Sequence, residues 1–258
     1  MGKIDDIQAY KEWTEYHRSL KRDKAADNLS PVERKKKLEK LEANVIEWIL
    51  FFFSEFAKYP FTKFHKKAIK RITTNMEWYE VLSWSRELAK STIVFMCMMY
   101  LVLTGKKRNV LLISNSHENA VRLLEPYKKA FESNSMLKAY YGDLREFGSW
   151  TADEFTLTTG ATFRAVGALE SPRGTRKDAV RPDTALVDDF DTDADCRNPD
   201  ILKKKWEWFE EALFPTRSIS EDLLVIFCGN LIALDCCVKR AGEKADHWDI
   251  VNIRGKDG

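Results

Sequence analysis

The segment Glu80-Val81-Leu82-Ser83-Trp84-Ser85-Arg86-Glu87-Leu88-Ala89-Lys90-Ser91-Thr92 runs from a short apolar strand into a strongly apolar helix that begins near Lys90. A loop that binds phosphate needs backbone amides turned inward, a Lys for the β- and γ-phosphates and a hydroxyl for Mg²⁺. Lys90 and Ser91 supply the last two, and the helix they open directs its dipole and free amides at the same place. The usual pattern GxxxxGK(S/T) is not met, because Trp84 stands in the first glycine position and Ala89 in the second. Taken alone, Lys-Ser-Thr at a helix start fits a solvated Lys beside a capping hydroxyl equally well.

Working outward, β-branched and apolar runs alternate with helical stretches. Asn109 to Ser114 precedes a helix containing Ala120, Leu123 and Leu124, and Thr184 to Asp189 precedes one spanning Ile201 to Leu213. Asp222 to Cys228 follows, and Glu154–Thr158 with Thr162–Val166 reads as a hairpin about Thr159-Gly160. Alternating strands and helices imply βαβ units and a mostly parallel sheet, with ligands beyond the strands' carboxyl ends. Asp183-Thr184-Ala185-Leu186-Val187-Asp188-Asp189 is an apolar strand delivering two carboxylates to that edge, with Asp191 and Asp193 close behind. Enzymes with a phosphate loop hold Mg²⁺ through such an Asp, although acid-rich loops after strands are often only solvated turns. The two signals together, in this order and one strand–helix unit apart, predict an α/β P-loop NTPase of the RecA-like (ASCE) type: three layers around a mostly parallel central sheet.

Residues 1–57 read as a helical segment before the ATPase domain, 58–258. Ser30-Pro31-Val32-Glu33 is a helix start, with Ser30 as cap and Glu33 three residues on. Arg34 to Phe53 continues as helix and is expected to pack on the main domain through its Trp48–Phe56 end. The 42 Lys plus Arg nearly balance the 40 Asp plus Glu, which argues against a simple DNA-coating protein but allows a local basic patch. Lys63, Lys66, Lys67, Lys70 and Arg71 have helical spacing and could face DNA phosphates, and Lys203-Lys204-Lys205 invites the same reading. Both runs fit ordinary solvated faces too. The five cysteines show no CxxC pair, so they read as reduced thiols in a cytoplasmic setting. No apolar run reaches the roughly 20 residues a bilayer requires, and no secretory signal is visible.

These motifs as a set resemble the large terminase subunit, the ATPase of tailed-bacteriophage DNA-packaging motors. Ser85-Arg86-Glu87-Leu88-Ala89-Lys90-Ser91-Thr92 resembles that family's variant Walker A loop, which carries an Arg four residues before the Lys and tolerates Ala before it. Leu111 to Ser116 with Ala120 resembles its second-strand motif. Gly167 through Arg173-Gly174 and Arg181-Pro182-Asp183 into Val187-Asp188-Asp189 resembles its Walker B approach, and Cys228-Gly229-Asn230 its coupling motif. The match runs over roughly residues 58 to 253.

The resemblance implies ATP and Mg²⁺ as cofactors and the following roles. Lys90 would bind the β- and γ-phosphates, Ser91 would ligate Mg²⁺, and Asp188 would hold Mg²⁺ through water. Arg86 would contact the γ-phosphate and Asn230 would relay its state. The catalytic carboxylate would be Asp189, where the family commonly has Glu, with Asp191 in reserve. Arg173, Arg176 and Arg181 are candidates for an arginine finger in trans, and Arg176 is carried into the site. Pro60 to His65 resembles the adenine-side motif without its usual Gln, so Phe61 or Phe64 could stack on adenine or be ordinary core. Implied partners are double-stranded DNA, the portal protein, the small terminase subunit and further copies in a ring, a pentamer by the family's habit, in the host cell cytoplasm. The family's C-terminal nuclease has no counterpart here, so ATP hydrolysis without DNA cleavage is expected. The rival readings are a helicase-type translocase and a degenerate P-loop assembly protein.

Overall fold

The structure, a computed structural model, describes residues 29–57, 60–170, 181–213 and 222–252. Its centre is an eight-stranded sheet in the order β3-β4-β5-β2-β6-β7-β1-β8. The strands are β1 (Trp78–Trp84), β2 (Asn109–Ser114), β3 (Arg145–Trp150), β4 (Glu154–Leu157), β5 (Thr162–Gly167), β6 (Thr184–Asp188), β7 (Leu224–Cys228) and β8 (His247–Val251). From β5 to β8 every neighbouring pair is parallel, while β4 pairs antiparallel with β5 as the expected hairpin and β3 adds antiparallel to β4, a strand the sequence reading did not include. Asp188 of β6 and Leu82 of β1 both pair with Cys228 of β7, so three carboxyl ends lie level at one edge.

Strand residues alternate between two apolar layers, as a parallel sheet covered on both faces requires. Leu82, Leu112, Leu186 and Ile226 face one layer, while Val81, Leu111, Val187 and Phe227 face the other. The first layer is built by α1 (Pro31–Glu42), α2 (Val45–Phe52), α3 (Lys63–Thr74), α4 (Lys90–Leu103), α5 (His117–Ser133) and α6 (Ser135–Tyr141). The second is covered by α8 (Pro199–Glu207) and α9 (Cys237–Lys244), with the short α7 (Asp193–Cys196) beside the site edge. Helix α4 is apolar all round because Ile93 to Val102 are all buried between the sheet and its neighbouring helices. No helix among the described residues is long and apolar enough to cross a membrane.

Two expectations change in detail. The run from Arg34 to Phe53 is two helices, not one. Asn44 adopts an extended conformation and its side-chain oxygen caps the amides of Ile46 and Glu47, restarting the helix. The capping box at Ser30 and Glu33 forms as read, and Trp48, Ile49 and Phe52 enter the core shared with α4. The helix expected over Ile201 to Leu213 stops being α-helical after Glu207 and continues as a π-helical turn, Trp208–Leu213. The wider turn accompanies the burial of Phe209 against Phe227 and a hydrogen bond from Trp208 Nε1 to the Glu170 carbonyl at 2.6 Å.

Candidate functional site

The turn from β1 into α4 is anchored at its start by β8, where the Ser85 amide donates to the Val251 carbonyl at 2.9 Å. The loop then bends through two left-handed residues that are not glycine, Glu87 at φ 70° and Ala89 at φ 56°. Ala89 is the residue standing where the phosphate-loop pattern has its second glycine. An L-residue in this region costs about 1 kcal/mol or more, so the bend must be held by its surroundings. Helix α4 starts at Lys90, as read.

Across the cleft, β6 delivers Asp188 buried and Asp189 exposed, the latter at φ 47°. Ser91 Oγ donates to Asp188 Oδ2 at 2.6 Å, and the Asp189 amide donates to Asp188 Oδ1 at 3.1 Å. Burial pushes the Asp188 carboxyl up to about 6, reinforced by the like charge of Asp189 and opposed by the Ser91 hydroxyl and Lys90. A buried carboxylate in this condition is stabilised by a cation. Its convergence with a hydroxyl fits a small, hard, oxygen-ligated ion such as Mg²⁺.

From β7, Asn230 places Oδ1 3.4 Å from Lys90 Nζ. Gly229 before it is dictated by space, since a Cβ there would lie 2.9 Å from Val238 Cγ2 of α9. Arg86 is exposed at the junction of three clefts of about 580, 420 and 400 Å³, each of which also touches Asn230. The middle one is lined by Ser85 to Thr92 with Asp188 and Asp189, so Glu87, Leu88 and Thr92 join the residues already named.

Asp191 lines the 580 Å³ cleft but not the one formed by the loop, and the other residues read from the sequence fall elsewhere. Asp191 accepts from the Cys237 and Val238 amides at 3.1 and 2.9 Å, so both carboxylate oxygens are engaged in capping α9. Phe64 packs edge-on against Trp84 with ring centroids 4.9 Å apart, and Phe61 also packs on the core; neither lines the three clefts. Arg71 leaves the basic face of α3, because it binds Glu80 and Asp249, while Lys63, Lys66, Lys67 and Lys70 remain exposed. Lys205 likewise is no part of a solvated run. It is buried and donates to the Phe190 carbonyl and to Asp195 Oδ2. Arg173 and Arg176 lie outside the described residues, and Arg181 stands before the amino end of β6, opposite the cleft.

The roles of two residues escaped sequence reading. His65 reaches the Leu88 carbonyl of the loop with Nε2 at 3.0 Å. Its place three residues after Thr62, where a capping box has its second member, was a usable signal. The role of Lys205 was signalled by its apolar helix face, which it shares with Leu202, Trp206 and Phe209.

No family model matches the chain, and no curated protein matches it. Among solved structures, the bacteriophage HK97 large terminase aligns with 84% of this chain and 45% of its own, at TM-score 0.56 and 13% identity. The fold is of the phage large-terminase kind. Because the alignment spans less than half of the HK97 terminase, the whole activity of that protein does not transfer with the fold. The ATPase domain of the Thermus phage P74-26 large terminase, as a variant, aligns with 71% of this chain and 70% of its own at TM-score 0.45 and 15% identity.

Proposed function

We propose that the chain is the ATPase motor unit of a terminase, hydrolysing ATP to move double-stranded DNA into a procapsid. The observation carrying this reading is the 2.6 Å contact of Ser91 with Asp188, which joins a phosphate-type loop to a buried strand-end carboxylate beneath Lys90 and Asn230. Lys90 binds the β- and γ-phosphates, and the inward amides of the loop cradle them. Mg²⁺ bound with the substrate supplies charge neutralisation, and Ser91 Oγ and Asp188 would hold it.

Asp189 is the base that orients the attacking water, because its carboxylate is exposed at the cleft, whereas that of Asp191 is committed to α9. Arg86 meets the γ-phosphate at the junction of the clefts, and Asn230, already beside Lys90, reports its loss. An arginine from Arg173, Arg176 or Arg181 of a neighbouring copy completes the charge around the transition state. The partners under this reading are double-stranded DNA, the portal protein, the small terminase subunit and further copies in a five-membered ring, all within the infected host cell.

Steady-state ATP hydrolysis with Mg²⁺ tests the reading. Lys90→Ala and Asp189→Asn are each expected to lose about 10²-fold or more of turnover. Asp191→Asn should lose less turnover and show its effect first in thermal stability. A larger loss in Asp191→Asn than in Asp189→Asn, with both folded, would reverse the assignment of the base. A wild-type chain that neither binds nor hydrolyses ATP would sink the reading.

A further inference from the structure

The loop of Ser85 to Thr92 contains no glycine, yet it bends through the left-handed region on both sides of Leu88, at Glu87 and at Ala89. Something must keep that conformation in place of the backbone freedom that glycine would give. The Leu88 carbonyl is met by His65 Nε2 at 3.0 Å. A carbonyl can only accept, so Nε2 carries the proton. On the other side of the ring, Nδ1 lies 3.0 Å from Thr62 Oγ1 and accepts from the Thr62 amide at 3.4 Å, which fixes the same neutral tautomer from the opposite direction. The ring is also wedged by packing, with centroids 4.1 Å from Phe64 and 5.5 Å from Trp84 at the end of β1.

We propose that His65 is a positioning residue for nucleotide binding: it holds the Leu88–Ala89 peptide so that the Ala89 amide faces the phosphates. The peptide is trans and planar, so turning its carbonyl to His65 turns the Ala89 N–H the opposite way, into the cradle. One imidazole thereby ties the first turn of α3 to the phosphate loop and replaces a glycine by an imported hydrogen bond. Glutamine can reproduce this donation, because its side-chain amide presents an N–H at a similar reach, whereas alanine cannot.

The inference rests on the nucleotide reading of the site, and the experiment separates the two. Mg·ADP binding is measured by titration calorimetry for the wild type, His65→Ala, His65→Gln, Ala89→Gly and the double variant His65→Ala/Ala89→Gly. Hydrogen exchange of the amides in 86–91 is followed in the ligand-free proteins alongside. His65→Ala is expected to weaken ADP about threefold to tenfold, the worth of one net hydrogen bond, and His65→Gln to recover most of that loss. Ala89→Gly should strengthen binding more in the His65→Ala background than in the wild type, because both changes act on one loop conformation. The loop amides should exchange faster in ligand-free His65→Ala. A purely structural His65 would lower stability but give additive effects with Ala89→Gly. Equal increments in the two backgrounds, or His65→Ala binding ADP within twofold of wild type, would overturn the proposal. Absence of ADP binding by the wild type would overturn the nucleotide reading, and unchanged loop exchange in ligand-free His65→Ala would overturn the role of His65 independently.

Discussion

The turn after β1 and the turn after β6 leave the same edge of the sheet and face one cleft, yet they are held by opposite means. The first is fixed through backbone hydrogen bonds brought from outside it, the Ser85 amide on Val251 and the Leu88 carbonyl on His65. The second is fixed by buried charge and capping: Lys205 donates to the Phe190 carbonyl and Asp195, and Asp191 caps the amides of α9. The chemistry of each side explains the choice. A phosphate cradle must leave its amides free, so it can be gripped only by its carbonyls and ends. An acidic turn must keep its carboxylates in place against their own repulsion, and a buried ammonium does this while satisfying the backbone.

The largest effect is expected at Lys205, which holds the acidic turn. Lys205→Met keeps the apolar stem but leaves the Phe190 carbonyl and Asp195 without their cation, and should cost about 2 to 4 kcal/mol in denaturant unfolding. A cost below 1 kcal/mol, on that same order-of-magnitude scale, would mean that the acidic turn is held by packing alone.

Asp188→Asn should act with the opposite sign. The Asp188 carboxyl titrates at about 6, above its unfolded value, so between the two the native state binds more protons than the unfolded chain. Stability of the nucleotide-free protein therefore falls as pH rises through this window and stays lower above it. The amide removes the buried charge and should raise stability at pH 7 by about 3 kcal/mol, while abolishing Mg²⁺-dependent turnover. In the wild type, Mg²⁺–nucleotide affinity should weaken as pH drops through about 6, when Asp188 takes up its proton. A melting temperature of Asp188→Asn equal to or below the wild type at pH 7 would contradict this.

The smallest effect belongs to the phosphate side. Ala89→Gly relieves a left-handed alanine at φ 56° and should stabilise the protein by up to about 1 kcal/mol in thermal unfolding. Destabilisation would show that the Ala89 methyl packs in a way that outweighs the backbone relief.

The fold was legible because its signals are local and periodic. Asn109 to Ser114 and the start of α4 at Lys90 fall where the apolar runs place them. Asn44 interrupts the first helix through a side-chain cap whose strength depends on a backbone conformation, and the π-helical turn at Trp208 depends on contacts with Phe190 and Glu170 far along the chain. Neither shows in periodicity. In the site, the residue types of Lys90, Ser91 and Asp188 pointed to their convergence, because their chemistry is set by what each side chain carries. The engagement of Asp191 by α9, and of Arg71 by Glu80 and Asp249, arises from neighbours up to 47 and 178 residues away, which spacing along the sequence cannot reveal.

A crystal structure of this chain with Mg²⁺ and a non-hydrolysable ATP analogue is the most direct test of the phosphate cradle. The β- and γ-phosphates are expected against Lys90 and the amides of Ala89 to Ser91, with Ser91 Oγ drawn away from Asp188 Oδ2. An analogue bound elsewhere, or a cradle that stays empty at saturating concentration with the Ser91–Asp188 hydrogen bond intact, would contradict the assignment of the Lys90 loop as the nucleotide site.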